Sequence, residues 1–99
     1  MNSEKLFVIV RRDLTPSQQA VQAGHAVAEY LIFNPNTRWN NGTLVYLGVK
    51  NEEELEKWVY RLNLDDIQFA SFIEPDMNYE KTAIASVYNE SFFKNLQVL

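Results

Sequence analysis

The chain has no cysteine and only one histidine among its 99 residues. Without cysteine there can be no disulfide, no thiolate metal ligand and no thiol nucleophile. With a single histidine, a zinc site would need mostly carboxylate ligands, which is uncommon. We therefore expect a protein that uses no metal and no other cofactor, and any histidine chemistry must fall on His25.

Long hydrophobic runs are also missing. No apolar stretch is long enough to form a secretory signal peptide or to span a bilayer, so we expect a cytoplasmic protein that does not contact a membrane. Hydrophobic residues nevertheless make up 46% of the chain and aromatic residues 13%, which argues against disorder. A chain of this length suits one domain with a real core, and we expect a single domain over residues 1–99.

Positive charge is scarce, and it is unevenly placed. The net charge of -4 speaks against a general nucleic-acid binder. Residues 1–50 carry a net charge of +2, however, and residues 51–99 carry -6. A local basic patch around Arg11, Arg12 and Arg38 is therefore compatible with an acidic protein, whereas the glutamates between positions 52 and 56 can simply solvate a surface.

The hydrophobic pattern predicts the order β-α-β-α-β-β-α. Leu6–Val10 is a continuous apolar, β-branched run, typical of a central strand buried on both faces. We expect a three-layer α/β/α domain with a four-stranded mixed sheet, in which the last two strands are antiparallel neighbours. The predicted strands are Leu6–Arg12, Thr43–Val49, Ile67–Ile73 and Lys81–Tyr88.

Capping residues predict where the helices begin. Thr15, followed by proline and by Gln18 three positions later, forms a capping-box pattern for a helix that runs to about Phe33. Asn51 is expected to cap a second, amphipathic helix, and Asn89 a short third helix that ends near position 96.

A polar stripe is expected on the first helix. Gln18, Gln22, His25 and Glu29 are spaced four, three and four residues apart, which places them on one helical face. We expect this stripe to be partly accessible to solvent and to lie near the loop at positions 74–76. Such a stripe on the first helix of an α/β domain can meet a substrate group or a macromolecule.

Several motifs resemble those of one enzyme family. The first strand ends in Arg11-Arg12-Asp13-Leu14, and the first helix carries Gln22-Ala23-Gly24-His25-Ala26. Trp39 and Gly42 precede the second strand, and the acidic loop Glu74-Pro75-Asp76 leads to Thr82-Ala83-Ile84-Ala85. In order and spacing, residues 6 to 88 resemble the type II peptidyl-tRNA hydrolases of archaea and eukaryotes.

The resemblance implies a role in translation, as a hydrolase of the ester that joins a peptide to the terminal ribose of tRNA. That reaction needs an activated water, a donor to the oxyanion and a grip on the nucleic acid. The implied catalytic residues are His25 as base, Gln22 as oxyanion donor or water ligand, and Asp76 as the loop carboxylate. Glu74 and Glu29 are alternatives for the carboxylate.

Arg11, Arg12, Gln18 and Thr82 are the expected substrate-binding residues, the arginines through phosphate groups. Asp13 can instead pair with Arg11. The chain also departs from the family, because the family's Gly-Lys pair falls on Ser17-Gln18 and the loop arginine is absent. The alternative is a catalytically inactive relative that binds protein or RNA. Expected partners are tRNA, another protein or a second copy in a homodimer.

Overall fold

The first strand, β1 (Lys5–Arg11), lies at the centre of a five-stranded mixed sheet in the computed structural model, which describes residues 4–99. Two α-helices accompany the sheet, so the prediction of a mixed α/β fold is confirmed. The strand order is β3-β4-β1-β2-β5. In chain order the remaining elements are α1 (Pro16–Phe33), β2 (Thr43–Val49), α2 (Glu52–Leu64), β3 (Ala70–Glu74), β4 (Glu80–Val87) and β5 (Gln97–Val98).

Strand β1 is covered on both faces, as the apolar run predicted. It pairs in parallel with β2 and antiparallel with β4. Leu6, Val8 and Val10 pack in a cluster that includes residues of α1, whereas Phe7 and Ile9 pack with residues of α2. The two helices therefore bury opposite sides of the same strand, each against alternate side chains.

Both α-helices begin where their capping residues predicted. The hydroxyl of Thr15 accepts a hydrogen bond from the backbone N–H of Gln18, and the Gln18 side chain accepts one from the backbone N–H of Thr15. These two bonds satisfy N–H groups that have no partner within the helix. Asn51 caps α2 by accepting from the N–H of Glu54 at 3.0 Å.

The expected four-stranded sheet and third α-helix are wrong in detail. A fifth strand, β5, pairs antiparallel with β2 at the sheet edge, through Val98 with Leu47 and Gln97 with Gly48. Asn89 does cap a helix, but this is a single 3-10 turn at Glu90–Phe93. That turn presents its aromatic residues to the α2 side of the core, where Phe93 is buried.

Two loop regions also differ from the predicted bounds. The third strand begins at Ala70 and not at Ile67, since the N–H of Ile67 bonds to the carbonyl of Leu62 and closes the end of α2. The expected loop after β3 contains a 3-10 turn, Pro75–Met77. As predicted, β3 and β4 are antiparallel neighbours.

The chain direction brings four strand ends to one edge of the sheet. Strands β1, β2 and β3 all end there, and β4, which is antiparallel to β1 and β3, begins there. The polar motifs at positions 11–13, 74–76 and 80–82 therefore meet although they are far apart in sequence. Within residues 4–99, no helix is both long and apolar enough to cross a membrane.

Candidate functional site

Gln22 is the centre of a buried polar cluster. Its side chain is only 4% exposed and lies between α1 and the two last long strands. The amide nitrogen donates to Glu74 Oε1 at 2.8 Å, and the amide oxygen accepts from the hydroxyl of Thr82 at 2.6 Å. The two bonds fix which end of the amide faces which partner, because a carboxylate can only accept.

Glu74 is the carboxylate that meets Gln22, and Asp76 is not. Asp76 is exposed, and its backbone N–H donates to Glu74 Oε2 at 3.2 Å. The hydrogen bond from Gln22 lowers the pKa of Glu74 from its ordinary value, the N–H of Asp76 lowers it further, and the charge of His25 adds a smaller effect. Of the two acids left open by the sequence, Glu74 therefore has the position expected of the loop carboxylate.

His25 lies on the exposed side of the same cluster. Its imidazole stacks on the ring of Phe72 in β3, with ring centroids 4.2 Å apart and planes 8° from parallel. The residue is exposed, so the ring face opposite Phe72 remains available to solvent. An accessible imidazole beside an ionised carboxylate can accept a proton from water and be stabilised in its charged form.

Thr82 is fully buried. Its hydroxyl donates to Gln22 and lies 3.4 Å from the carbonyl oxygen of Phe72. A substrate cannot reach this hydroxyl without displacing Gln22, so the expected direct contact with substrate does not fit the position. Thr82 instead orients the amide of Gln22.

Arg11 is buried in an ion-pair network. It is 6% exposed, and its guanidinium donates to both carboxylate oxygens of Asp13 at 2.8 and 2.9 Å. A further nitrogen donates to Glu80 Oε1 at 2.8 Å and to the carbonyl of Lys81 at 3.2 Å. These bonds occupy most of the guanidinium's donors. The expected phosphate contact therefore does not fit Arg11, which ties β1 to the start of β4.

The ion pairs shift the pKa values of both partners in opposite directions. The hydrogen bond with Asp13, and then that with Glu80, raises the pKa of Arg11 above its ordinary value although burial opposes this. The same guanidinium lowers the pKa of Asp13. Both groups are thus held in their charged forms, as a bidentate pair requires.

Of the remaining predicted residues, Gln18 and Glu29 lie on α1 and Arg12 directly follows β1. The Gln18 side chain is exposed but turned back to cap α1. Glu29 is half-buried. The four residues of the polar stripe thus lie along one helix, but Gln18 and His25 are exposed whereas Gln22 is buried. Arg12 is exposed and lies on the far side of β1, where its guanidinium donates to the carbonyl of Val98 at 2.9 Å.

Sequence reasoning missed Phe72 and Glu80. Phe72 has only the weak signal of an aromatic residue within a predicted strand, and its stacking partner is 47 positions away. Glu80 directly precedes the predicted fourth strand, and nothing in the local sequence pairs it with Arg11. The Arg11–Glu80 contact depends on how β4 lies beside β1, and the His25–Phe72 contact depends on how α1 packs against β3, so neither can be found from a local pattern.

No protein-family model matches the chain, and no curated protein matches it. Among solved structures, a protein of unknown function from Agrobacterium tumefaciens strain C58 has the same fold, with a TM-score of 0.74. The two chains are 16% identical, and the match covers 100% of this chain and 99% of the other. At this identity the likeness establishes the fold and carries no function.

Proposed function

We propose that the protein is an ester hydrolase of the peptidyl-tRNA hydrolase type, acting on the ester between a peptide and the terminal ribose of tRNA. One observation carries the proposal. Gln22, Glu74 and Thr82, from three separate segments of the family resemblance, form one hydrogen-bonded chain. His25, from the same motif as Gln22, is the exposed group beside it.

In this proposal His25 removes a proton from the attacking water. Glu74 stays ionised, because its pKa is lowered, and its charge stabilises the imidazolium that forms. Gln22 holds the carboxylate in place, and Thr82 fixes the direction of the Gln22 amide. Neither of these two bonds uses the second N–H of Gln22, which is the donor that the proposal assigns to the oxyanion.

The finer structural and cellular assignments belong to the same proposal. The two helices, on opposite sides of β1, support a three-layer α/β/α description. A hydrolase of this type would work where translation takes place, in the cytoplasm. Of the two arginines in the first motif, Arg11 is buried and Arg12 is exposed but lies on the far side of β1 from the Gln22 cluster.

The second candidate is a catalytically inactive relative that binds a protein. The observation that favours it is the charge around the cluster. Arg11 is neutralised by Asp13 and Glu80, and Gln18 stands where the family has its lysine. Carboxylates are therefore more accessible here than cations, which suits a basic protein surface better than a phosphate backbone.

Release of free tRNA from purified N-acetyl-aminoacyl-tRNA tests the two candidates. The hydrolase proposal expects multiple turnovers by the purified protein and a large loss in the His25→Ala variant. Val21→Ala is a matched control, because Val21 is exposed on the same helix and can be truncated without touching the cluster. No release by the wild type at high protein concentration would reject the hydrolase in favour of the binding protein.

A further inference from the structure

A second cleft lies on the other side of the same sheet edge, where β1 and β2 end side by side. These strands are parallel neighbours, and the helices that follow them pack against opposite sides of the sheet. Adjacent strands whose connections diverge in this way leave a crevice outside their carboxyl ends. In open α/β sheets that crevice is a preferred place for ligands to bind.

The wall of this cleft is rich in hydrogen-bond donors. It is an open depression of about 320 Å³, and its lining includes Arg12, Lys50, Trp58, Asn95 and Gln97. The guanidinium and ammonium groups are cationic, and the indole and two amides add neutral donors. Glu54 is the one acidic residue in the lining that the structure describes, and it already pairs with Lys57 at 3.3 Å.

Arg12 is held in position before any ligand arrives. Its backbone N–H donates to the carbonyl of Val49 at 2.7 Å, and one terminal nitrogen donates to the carbonyl of Val98. The guanidinium lies directly over Gly48, where a Cβ atom would be only 2.6 Å from the Arg12 Cζ. A side chain fixed in this way loses little conformational entropy on binding.

The cations in this cleft retain free donors. Arg12 donates to Val98 through Nη2, whereas its Nε and Nη1 donate to no side chain or carbonyl among residues 4–99. Lys50 forms no ion pair within the same range. This is the reverse of Arg11, whose donors are mostly taken up by Asp13, Glu80 and Lys81. A protein with a net charge of -4 thus keeps two accessible cations in the lining of one open depression.

We propose that this cleft binds the phosphate group of a small phosphomonoester. A monoester carries close to two negative charges at neutral pH and presents three strong acceptor oxygens, which matches two cations and several donors. The planar guanidinium suits phosphate oxygens in particular. The volume is at the small end of the range for ligand pockets, and therefore favours a mononucleotide or sugar phosphate over a polymer. The inference does not depend on ester hydrolysis.

Titration of the ¹⁵N-labelled protein, followed by NMR, tests the site. AMP and inorganic phosphate are expected to shift the backbone amides of Gly48 and Lys50 and the indole N–H of Trp58. Adenosine, which lacks the phosphate, is expected to leave them in place. Binding should weaken as salt rises, because the contact is largely between charges.

Two variants test whether the phosphate group contacts the guanidinium of Arg12. Arg12→Gln removes the charge, and Gly48→Ala keeps both charges but displaces the guanidinium by steric contact. Each is expected to weaken AMP binding by about tenfold or more, as for the loss of one charge-assisted hydrogen bond. Arg38→Gln is the matched control, since it removes an exposed arginine that does not line the cleft and should leave the affinity unchanged. Arg12→Gln decides the question if Gly48→Ala fails to fold.

Three results would overturn the proposal. AMP and adenosine could give the same shifts, which would show binding of the base and not of the phosphate. Arg38→Gln could weaken binding as much as Arg12→Gln, which would show an unspecific charge effect. A single-stranded oligoribonucleotide without a terminal phosphate could bind more tightly than AMP, which would assign the cleft to nucleic-acid backbone. AMP binding without cleavage of peptidyl-tRNA would keep this site and remove only the hydrolase.

Discussion

The imidazole of His25 and the ring of Phe72 lie almost parallel, 4.2 Å apart, on the outer side of the Gln22 cluster. This contact covers one face of the imidazole with an apolar ring and leaves the other accessible. It also links α1 to β3, so the position of His25 depends on the same strand that supplies Glu74. The position of His25 relative to Glu74 is therefore set through β3, which carries both Phe72 and Glu74.

If the protein is the hydrolase proposed above, replacing His25 by alanine should reduce ester hydrolysis strongly while leaving the fold intact. The side chain is exposed, so little buried surface is lost. A general acid–base group contributes about 10² to 10⁴-fold in rate, and kcat for peptidyl-tRNA should fall within that range. Circular dichroism and thermal unfolding check the fold. A His25→Ala protein that keeps full turnover would show that the imidazole is not the base.

The variant Gln18→Lys places at position 18 the lysine that the peptidyl-tRNA hydrolases carry there, and it should raise tRNA affinity or turnover if the proposed hydrolase function holds. The substitution adds a cation at the start of α1 and removes the side-chain half of the capping box. Its cost in stability should be about 1 kcal/mol, within the range for lost caps. Gln19→Lys is unsuitable as a control, because Gln19 bonds to the carbonyl of Leu14. Ser17→Lys places the same charge one residue earlier and tests whether position matters.

Thr82→Val should destabilise the protein more than its size change suggests. The two side chains have nearly the same shape, but valine leaves the buried amide oxygen of Gln22 without its donor. A buried acceptor without a partner costs about 1 to 3 kcal/mol in the free energy of unfolding. Urea denaturation measures this cost, and Thr82→Ser, which keeps the hydroxyl, should lose less.

A double variant separates the missing donor from simple loss of packing. In Gln22→Met/Thr82→Val both polar groups are gone, so no buried amide oxygen is left without a donor. The free energy of unfolding of this double variant should therefore be partly restored relative to that of Thr82→Val alone. Strictly additive losses in the two single variants and the double variant would show that the hydrogen bond contributes little.

Acid should destabilise the fold partly through Asp13. Its pKa is lowered in the folded protein, because Arg11 donates two hydrogen bonds to its carboxylate. The unfolded chain therefore binds the proton more readily than the folded one. The stabilisation is present above the ordinary pKa of an aspartate and is lost as the pH falls from there through the lowered pKa of Asp13.

The free energy of unfolding, measured from pH 7 down to pH 3, should fall less steeply in Asp13→Asn than in the wild type. Asp76→Asn is the matched control, since the Asp76 carboxylate is exposed and forms no ion pair among the described residues. If both variants follow the wild-type curve, the Arg11–Asp13 pair does not control acid stability.

Most of the fold was predictable because its signals are local. The apolar run of β1 and the caps at Thr15 and Asn51 each specify an element within a few residues. Strand β5 could not be found in this way, because two residues have no periodicity and pair through their backbone. Asn89 indicated where a helix starts, but a cap does not determine how far the helix continues.

The candidate site was predictable only where residues share a helix. The spacing of Gln22 and His25 placed them on neighbouring positions of α1, and the structure agrees. The choice between Glu74 and Asp76 depended on which of two nearby carboxylates faces the helix, and a turn-rich segment gives no period from which to decide. For Arg11 the sequence left open a phosphate contact or a pair with Asp13, and the further bond to Glu80 could not be foreseen because that residue is 69 positions away.

The central position of β1 also has a consequence for synthesis on the ribosome. The strand is made first, but its parallel neighbour begins at Thr43 and its antiparallel neighbour only at Glu80. Until the segment that begins at Glu80 has emerged, one hydrogen-bonding edge of a largely apolar strand has no partner, and Arg11 lacks Glu80. Nascent chains that stop before Glu80 should therefore be prone to aggregate and to need a chaperone.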